Sequence, residues 1–184
     1  MKMREKTLKR RRIFKGRNID FYCDSILLPD GKTASREYTS HPGATAVVPF
    51  LGRDNIVLVK QYRYPVDRIT LEIPAGKLAK GESSLNCVRR ELLEETGYRA
   101  RRIRKLTSYC PSTAFSTEIL HIYVADRLKL TERSPDEDEF IESVTMPFRK
   151  ALGLVYRGVV NDSKTMIALL YCEILMKENR LKLS

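Results

Sequence analysis

The sequence predicts an α/β protein, with mixed strands and three helices preceded by a small β-rich N-terminal segment. Three observations support this. Runs rich in β-branched and aromatic residues alternate with turn-forming residues, as where Gly52-Arg53-Asp54-Asn55 precedes Ile56-Val57-Leu58-Val59. Leu85, Val88 and Leu92 recur at i, i+3 and i+7, and an apolar helical stripe runs from Met166 to Met176. The length of 184 residues suffices for one sizeable core.

Taken in order, residues 1–43 form a basic, β-rich segment. Phe21 to Leu28 and Ser35 to Thr39 read as strands around the turn Pro29-Asp30-Gly31. So few strands are not stable alone, and they must pack on the main domain, residues 44–184, or on a second subunit. Within that domain Thr45 to Phe50 and Ile56 to Arg63 read as strands. Leu71 to Gly76 reads as a short strand ending in a loop, because Pro74 cannot donate to a central ladder and Gly76 tolerates unusual dihedrals. Glu82-Ser83-Ser84 supply acceptors for the free N–H groups of a helix start, and Gly97 is placed to stop that helix. Strands follow at Ile103 to Tyr109 and Ile119 to Ala125, then an acidic loop and Val144 to Pro147. A short helix around Arg149 to Tyr156 and a terminal helix from Ser163 to Lys177 complete the chain.

Chemistry concentrates on the first helix. Glu91, Glu94 and Glu95 stand at i, i+3 and i+4, which places three carboxylates side by side on one face. Like charges in one patch repel unless cations sit among them, and oxygen donors in that number suit Mg²⁺ or Mn²⁺ rather than Zn²⁺.

Around these carboxylates the order is Gly76, Glu82 after five residues, Arg90-Glu91 after seven more, then Leu92, Glu94-Glu95, Gly97 and Tyr98. In every specified position this resembles the box of the Nudix hydrolases. The resemblance implies an α/β/α sandwich with a mixed sheet, and hydrolysis by water of a nucleoside diphosphate linked to another group. It also implies metal ligation by Glu91 and Glu95, with Glu94 beside them and the backbone carbonyl of Ala75 as a further donor. Glu82 and Arg90 match a structural ion pair. Metals in such a site neutralise the pyrophosphate and activate the attacking water.

Outside the box, Phe14-Lys15-Gly16, Leu28-Pro29-Asp30-Gly31, Arg36-Glu37, His41-Pro42-Gly43-Ala44, Gln61-Tyr62-Arg63-Tyr64-Pro65, Asp136-Glu137-Asp138-Glu139 and Asp162-Ser163-Lys164-Thr165 resemble the ADP-ribose pyrophosphatase branch. That likeness implies substrate contacts from Arg36, Glu37, Arg63, Glu72 and Phe115. It implies a general base at Glu137, with Glu118 as the rival base, Glu94 as a further catalytic carboxylate and Glu139 as an additional metal ligand. It also implies a homodimer through the N-terminal segment. The expected reaction converts ADP-ribose, or a close nucleoside diphosphate sugar, to AMP and ribose 5-phosphate. The alternatives are FAD or GDP-mannose as substrate, or a non-hydrolytic nucleotide sensor or RNA-associated protein. One departure concerns the terminal sugar: Ser112-Thr113-Ala114-Phe115 stands where the branch has Ser-Pro-Gly-aromatic. Loss of proline and glycine changes the dihedrals that the loop can adopt.

Composition excludes several other classes. The net charge of +11 gathers at Lys2 to Arg17 and again at Arg99, Arg101, Arg102, Arg104 and Lys105. No aromatic interleaving accompanies either cluster, so a basic surface that attracts an anionic nucleotide is a better reading than nucleic-acid binding. Cys23, Cys87, Cys110 and Cys172 are scattered without a Cys-x-x-Cys pair, which argues against zinc and for a reducing cytoplasm. No apolar run approaches the ~20 residues that span a bilayer, so no membrane partner is expected. His121 is expected to be structural.

Overall fold

The computed structural model describes residues 3–131 and 140–183 and divides the chain into two compact units. The first comprises Met1–Gly43 with Cys110–Ile119, and the second Ala44–Tyr109 with Leu120–Ser184.

In the first unit β1 (Lys6–Lys9) and β2 (Arg12–Lys15) pair with successive halves of β3 (Asp20–Leu27), and β4 (Thr33–Ser40) pairs with β3 as well. These three strand pairings are antiparallel. Part of the basic tail is thus sheet, which its charge density concealed. The break between β1 and β2 is held by Asp24, which is buried and accepts hydrogen bonds from the Arg11 backbone N–H (3.1 Å), Arg10 Nε (3.3 Å) and the Tyr38 hydroxyl (3.1 Å). Such satisfaction is what permits a carboxylate to be buried there. Tyr22 and Tyr38 stack at 5.4 Å beside it. Cys110–Ile119 joins this unit through backbone bonds: Thr39 N–H donates to the Phe115 carbonyl (2.9 Å), and Thr117 N–H donates to that of Thr39 (3.0 Å).

The second unit is built on a mixed sheet of seven strands. Its main path runs β11 (Ile141–Pro147), β6 (Asn55–Arg63), β5 (Ala44–Leu51), β10 (Leu120–Leu130), β9 (Tyr98–Tyr109). β7 (Arg68–Glu72) pairs with β6 and β8 (Ala75–Lys77) with β5; β5 and β10 run parallel, and the other pairs named here are antiparallel. The stretch expected as one strand at Leu71 to Gly76 is therefore two, broken at Ile73-Pro74. β9 begins at Tyr98, five residues before the expected start, because Arg99, Arg101 and Arg102 mask the apolar Tyr98, Ala100 and Ile103, which pack against the core.

Helices cover both faces, giving the sandwich. On one face α1 (Ser84–Thr96) packs Val88 and Leu92 on Val47, Tyr123 and Ala125. On the other, α2 (Phe148–Tyr156) and α3 (Ser163–Lys177) cover Ala46, Val48, Phe50, Ile122 and Val124. The alternation along β5 and β10 assigns these residues to opposite faces. Burial of both faces makes β5 a nearly continuous apolar run. Each fully buried Val or Leu contributes about 1.5–3 kcal/mol. α1 starts at Ser83, whose hydroxyl accepts from Asn86 N–H (3.2 Å), and ends at Gly97 with φ 76°, as its sequence predicts. α3 is capped by Asp162, which accepts from Thr165 N–H (3.0 Å).

Candidate active site

The caps and apolar stripe of α1 fix the rotation of the helix and bring Glu91 and Glu95 beneath β8. Both are buried, at 8% and 3% exposure. Glu95 accepts the Ala75 backbone N–H at 3.0 Å. A Cβ added to Gly76 would overlap the Glu91 carboxylate. This corrects the dihedral reading of Gly76: the residue lies in β8, opposite Thr45, and glycine is needed there for close approach.

Arg90 sits among the carboxylates. Its Nε and Nη2 donate to Glu82 at 3.1 Å each, while Nη1 donates to Glu94 at 2.8 Å and lies 2.8 Å from Glu91. The Glu82 hydrogen bond raises the Arg90 pKa, burial opposes this, and Glu91 and Glu94 add to the rise. The same bond lowers the pKa of Glu82. The Glu82–Arg90 pair was legible in sequence, but the reach of Arg90 to Glu91 and Glu94 was not. It offsets the repulsion inherent in three clustered carboxylates.

The donor chemistry fits a hard divalent cation, which Glu91, Glu94, Glu95 and the Ala75 backbone would hold. Among the described residues no set of three carboxylate, imidazole or thiol groups is placed to hold a metal ion by itself. Mg²⁺ needs none, since it retains several waters.

A second constellation adjoins the first through the chain from Glu72 to Ala75. Glu72, at the end of β7 and 2% exposed, accepts Arg63 Nε (2.8 Å) and Nη2 (2.6 Å), the Thr70 hydroxyl (2.6 Å) and Lys164 Nζ. Lys164 also donates to Asp162 at 2.9 Å. Burial opposes ionisation of Glu72, but the Arg63 hydrogen bonds and the Lys164 charge prevail and bring its pKa down to about 2. Ile73 N–H donates to the Thr165 hydroxyl (2.9 Å), which in turn donates to Asp162 (2.6 Å).

Comparison with known proteins decides the family, because residues 40–170 match the NUDIX domain. The chain belongs to the Nudix hydrolases. It is 42% identical to an ADP-ribose pyrophosphatase of Bacillus subtilis over 94% of each chain. It is also 42% identical to a methanol dehydrogenase activator of Bacillus methanolicus, over 92% of this chain and 93% of that one. A GDP-mannose pyrophosphatase of Yersinia enterocolitica is 33% identical over 80% of this chain and 84% of its own. Among solved structures, an ADP compounds hydrolase shares the fold, with a TM-score of 0.84 and 21% identity over 97% of each chain. Nudix hydrolases in general require a divalent metal.

In this Nudix hydrolase the second unit therefore gathers Ala75, Glu91, Glu94, Glu95, Arg63 and Glu72. Lys164 joins them through Glu72; the sequence analysis quoted it only within the Asp162 to Thr165 likeness and gave it no place in the site. A signal existed: a lysine in the first turn of a helix opposes the macrodipole, and a local conflict of this kind marks a site. The first unit carries Arg36, Glu37, Glu118 and Phe115. Arg36 is ion-paired with Glu5, Glu37 lies opposite Cys23 in β3, and Phe115 is 62% exposed. Glu118 lies 3.8 Å from His41 Nδ1. His121 bonds Ser108 at 2.8 Å, and burial lowers its pKa, with Lys105 adding to the effect. Glu137 and Glu139 lie outside the described residues.

Proposed function

We propose that this Nudix hydrolase cleaves the pyrophosphate bond of ADP-ribose, with Mg²⁺, to AMP and ribose 5-phosphate. The observation that carries the reading is the acidic face of α1 packed beneath β8, with Glu95 on the Ala75 N–H and Glu91 in the space left by Gly76. The substrate is supported by the similarity to the Bacillus subtilis enzyme along nearly the whole chain.

Glu91, Glu94 and Glu95 would hold the metal, with the Ala75 carbonyl as a further donor and Glu139 as an additional ligand. Bound there, the cation would supply positive charge to the diphosphate and lower the pKa of a water. Arg63 commits Nε and Nη2 to Glu72, and its Nη1 makes no hydrogen bond among the described residues. That edge grips a phosphate oxygen. Glu137 takes the proton from the attacking water. Arg36 and Glu37 contact the nucleotide, and Phe115 the terminal ribose.

The N-terminal sheet supports a homodimer, since Leu8, Ile13 and Phe14 on β1 and β2 are each at least half exposed. Four free cysteines support the reducing cytoplasm. Among the described residues no helix is long and apolar enough to cross a membrane.

A GDP-mannose substrate is the second reading. It is favoured by the Yersinia relative and by the altered Ser112 to Phe115 loop. A panel of ADP-ribose, GDP-mannose and FAD with Mg²⁺, with products separated by chromatography, tests both. ADP-ribose is expected to give the highest kcat/KM; absence of AMP and ribose 5-phosphate among the products would overturn the first reading.

A further inference from the structure

The first turn of α3 lies far along the chain from both parts of the site, yet it touches Glu72 directly and, at Ile73, the stretch that leads from Glu72 to Ala75. Lys164 is only 9% exposed and divides its ammonium group between Glu72 and Asp162. Thr165 is fully buried; its hydroxyl accepts from the Ile73 N–H and donates to Asp162. Asp162 is thereby an acceptor for Thr165 N–H, the Thr165 hydroxyl and Lys164 at once. A cation at a helix N-terminus is unfavourable by itself, so its burial there calls for a specific partner on each side.

The consequences run in two directions from the short stretch Glu72-Ile73-Pro74-Ala75. At one end Glu72 holds the Arg63 guanidinium in a two-point grip, which fixes its plane. At the other, the Ala75 N–H holds the Glu95 carboxylate. Ile73, between them, is clipped to Thr165. Arg63 and Lys164 are balanced here by Glu72 and Asp162, and what Arg63 has left to offer a ligand is its Nη1 edge.

We propose that Lys164 and Thr165 are positioning residues for the pyrophosphatase reaction: Lys164 holds Glu72 so that Glu72 aims Arg63 at the diphosphate, and Thr165 fixes the distance between that grip and the carboxylate face of α1. The inference rests on the reading that Arg63 contacts the diphosphate. It adds a specificity role for a turn that itself touches neither substrate nor metal. A diphosphate linked to two groups must meet Arg63 and the α1 face together, whereas a monophosphate needs only one. The turn thus selects for the diphosphate through a fixed spacing.

The test is a kinetic double-mutant cycle on the full chain with ADP-ribose and saturating Mg²⁺, using Lys164→Met, Arg63→Ala and the pair. Lys164→Met is expected to raise KM about tenfold, on the scale of a misplaced binding group, with a smaller change in kcat. In the Arg63→Ala background the same change is expected to add less than twofold, because the two act through one grip. Lys164→Arg, which keeps a cation against Glu72, is expected to recover most of the loss.

Thr165→Val preserves shape and removes the clip. It is expected to lower kcat as well as raise KM, since it frees the Ala75–Glu95 end. Circular dichroism and melting curves confirm that each variant is folded; if Lys164→Met does not fold, the Lys164→Arg and Thr165→Val kinetics decide. Full additivity of Lys164→Met and Arg63→Ala would overturn the positioning role while leaving the Arg63 contact intact. An Arg63→Ala variant with unchanged KM would instead overturn the Arg63 reading itself. Wild-type kinetics in Thr165→Val would overturn the clip.

Discussion

Replacing Glu72 by Gln keeps the shape of the side chain and removes its charge, leaving Arg63 and Lys164 without their shared anion. Two routes give the magnitude. A carboxylate whose pKa falls from an ordinary 4.5 to about 2 contributes roughly 3 kcal/mol to the native state. Removing one partner of a buried ion pair independently costs about 3–5 kcal/mol. For a chain of this size the lower figure corresponds to a fall in Tm of about 6–12 °C. The pH dependence carries a distinct signature. The folded pKa of Glu72 lies below its unfolded one, so its contribution is complete above about pH 4.5 and is lost as the pH falls towards 2. Other carboxylates with lowered pKa, among them Asp24, Glu82 and Glu173, lose stability over the same acid range, so the informative quantity is the difference between wild type and variant. Urea denaturation at steps from neutral pH down into that range should show the gap between the two proteins closing as the acid protonates Glu72. A variant that melts within about 1 °C of wild type at neutral pH, or a gap that stays constant into acid, would refute the account of Glu72 as an ionised clamp.

Glu95→Gln should cost several kcal/mol of transition-state stabilisation, a fall in kcat of about 10²-fold or more, with α1 helicity retained by circular dichroism; near-native turnover at saturating Mg²⁺ would contradict its place in the metal site. Glu137→Gln should lower kcat by roughly 10²-fold with little change in KM, the usual scale for losing a positioned base, whereas Glu118→Gln should cost much less, and the opposite ranking would move the base to the earlier loop. Gly76→Ala forces a methyl onto the Glu91 carboxylate and should lower stability by about 1–3 kcal/mol together with metal affinity, measured by thermal melts and Mg²⁺ titration of activity; a fully active, equally stable variant would show that the close approach of β8 to α1 is dispensable.

What the sequence determined by itself is local. The run from Ser83 to Gly97 carries its own cap, stripe and stop, and α1 forms between them; Asp162 and the stripe behind it likewise define α3 from Ser163 to Lys177. The three glutamates on one helical face and the Glu82–Arg90 pair are separated by few residues, so helical geometry alone brings them together. Tertiary structure decided what depends on distant segments meeting. Glu72 and Lys164 are 92 residues apart, and no periodicity relates them. Thr39 and Phe115 join Cys110–Ile119 to the N-terminal sheet across a similar distance, so a boundary drawn at residue 43 does not include that loop. The split of Leu71 to Gly76 into β7 and β8 follows from two different partners, β6 and β5, which local propensity does not specify. Gly76 shows the difference most directly. Its sequence position marks the box, but its reason for being glycine is the Glu91 carboxylate that packing places against it.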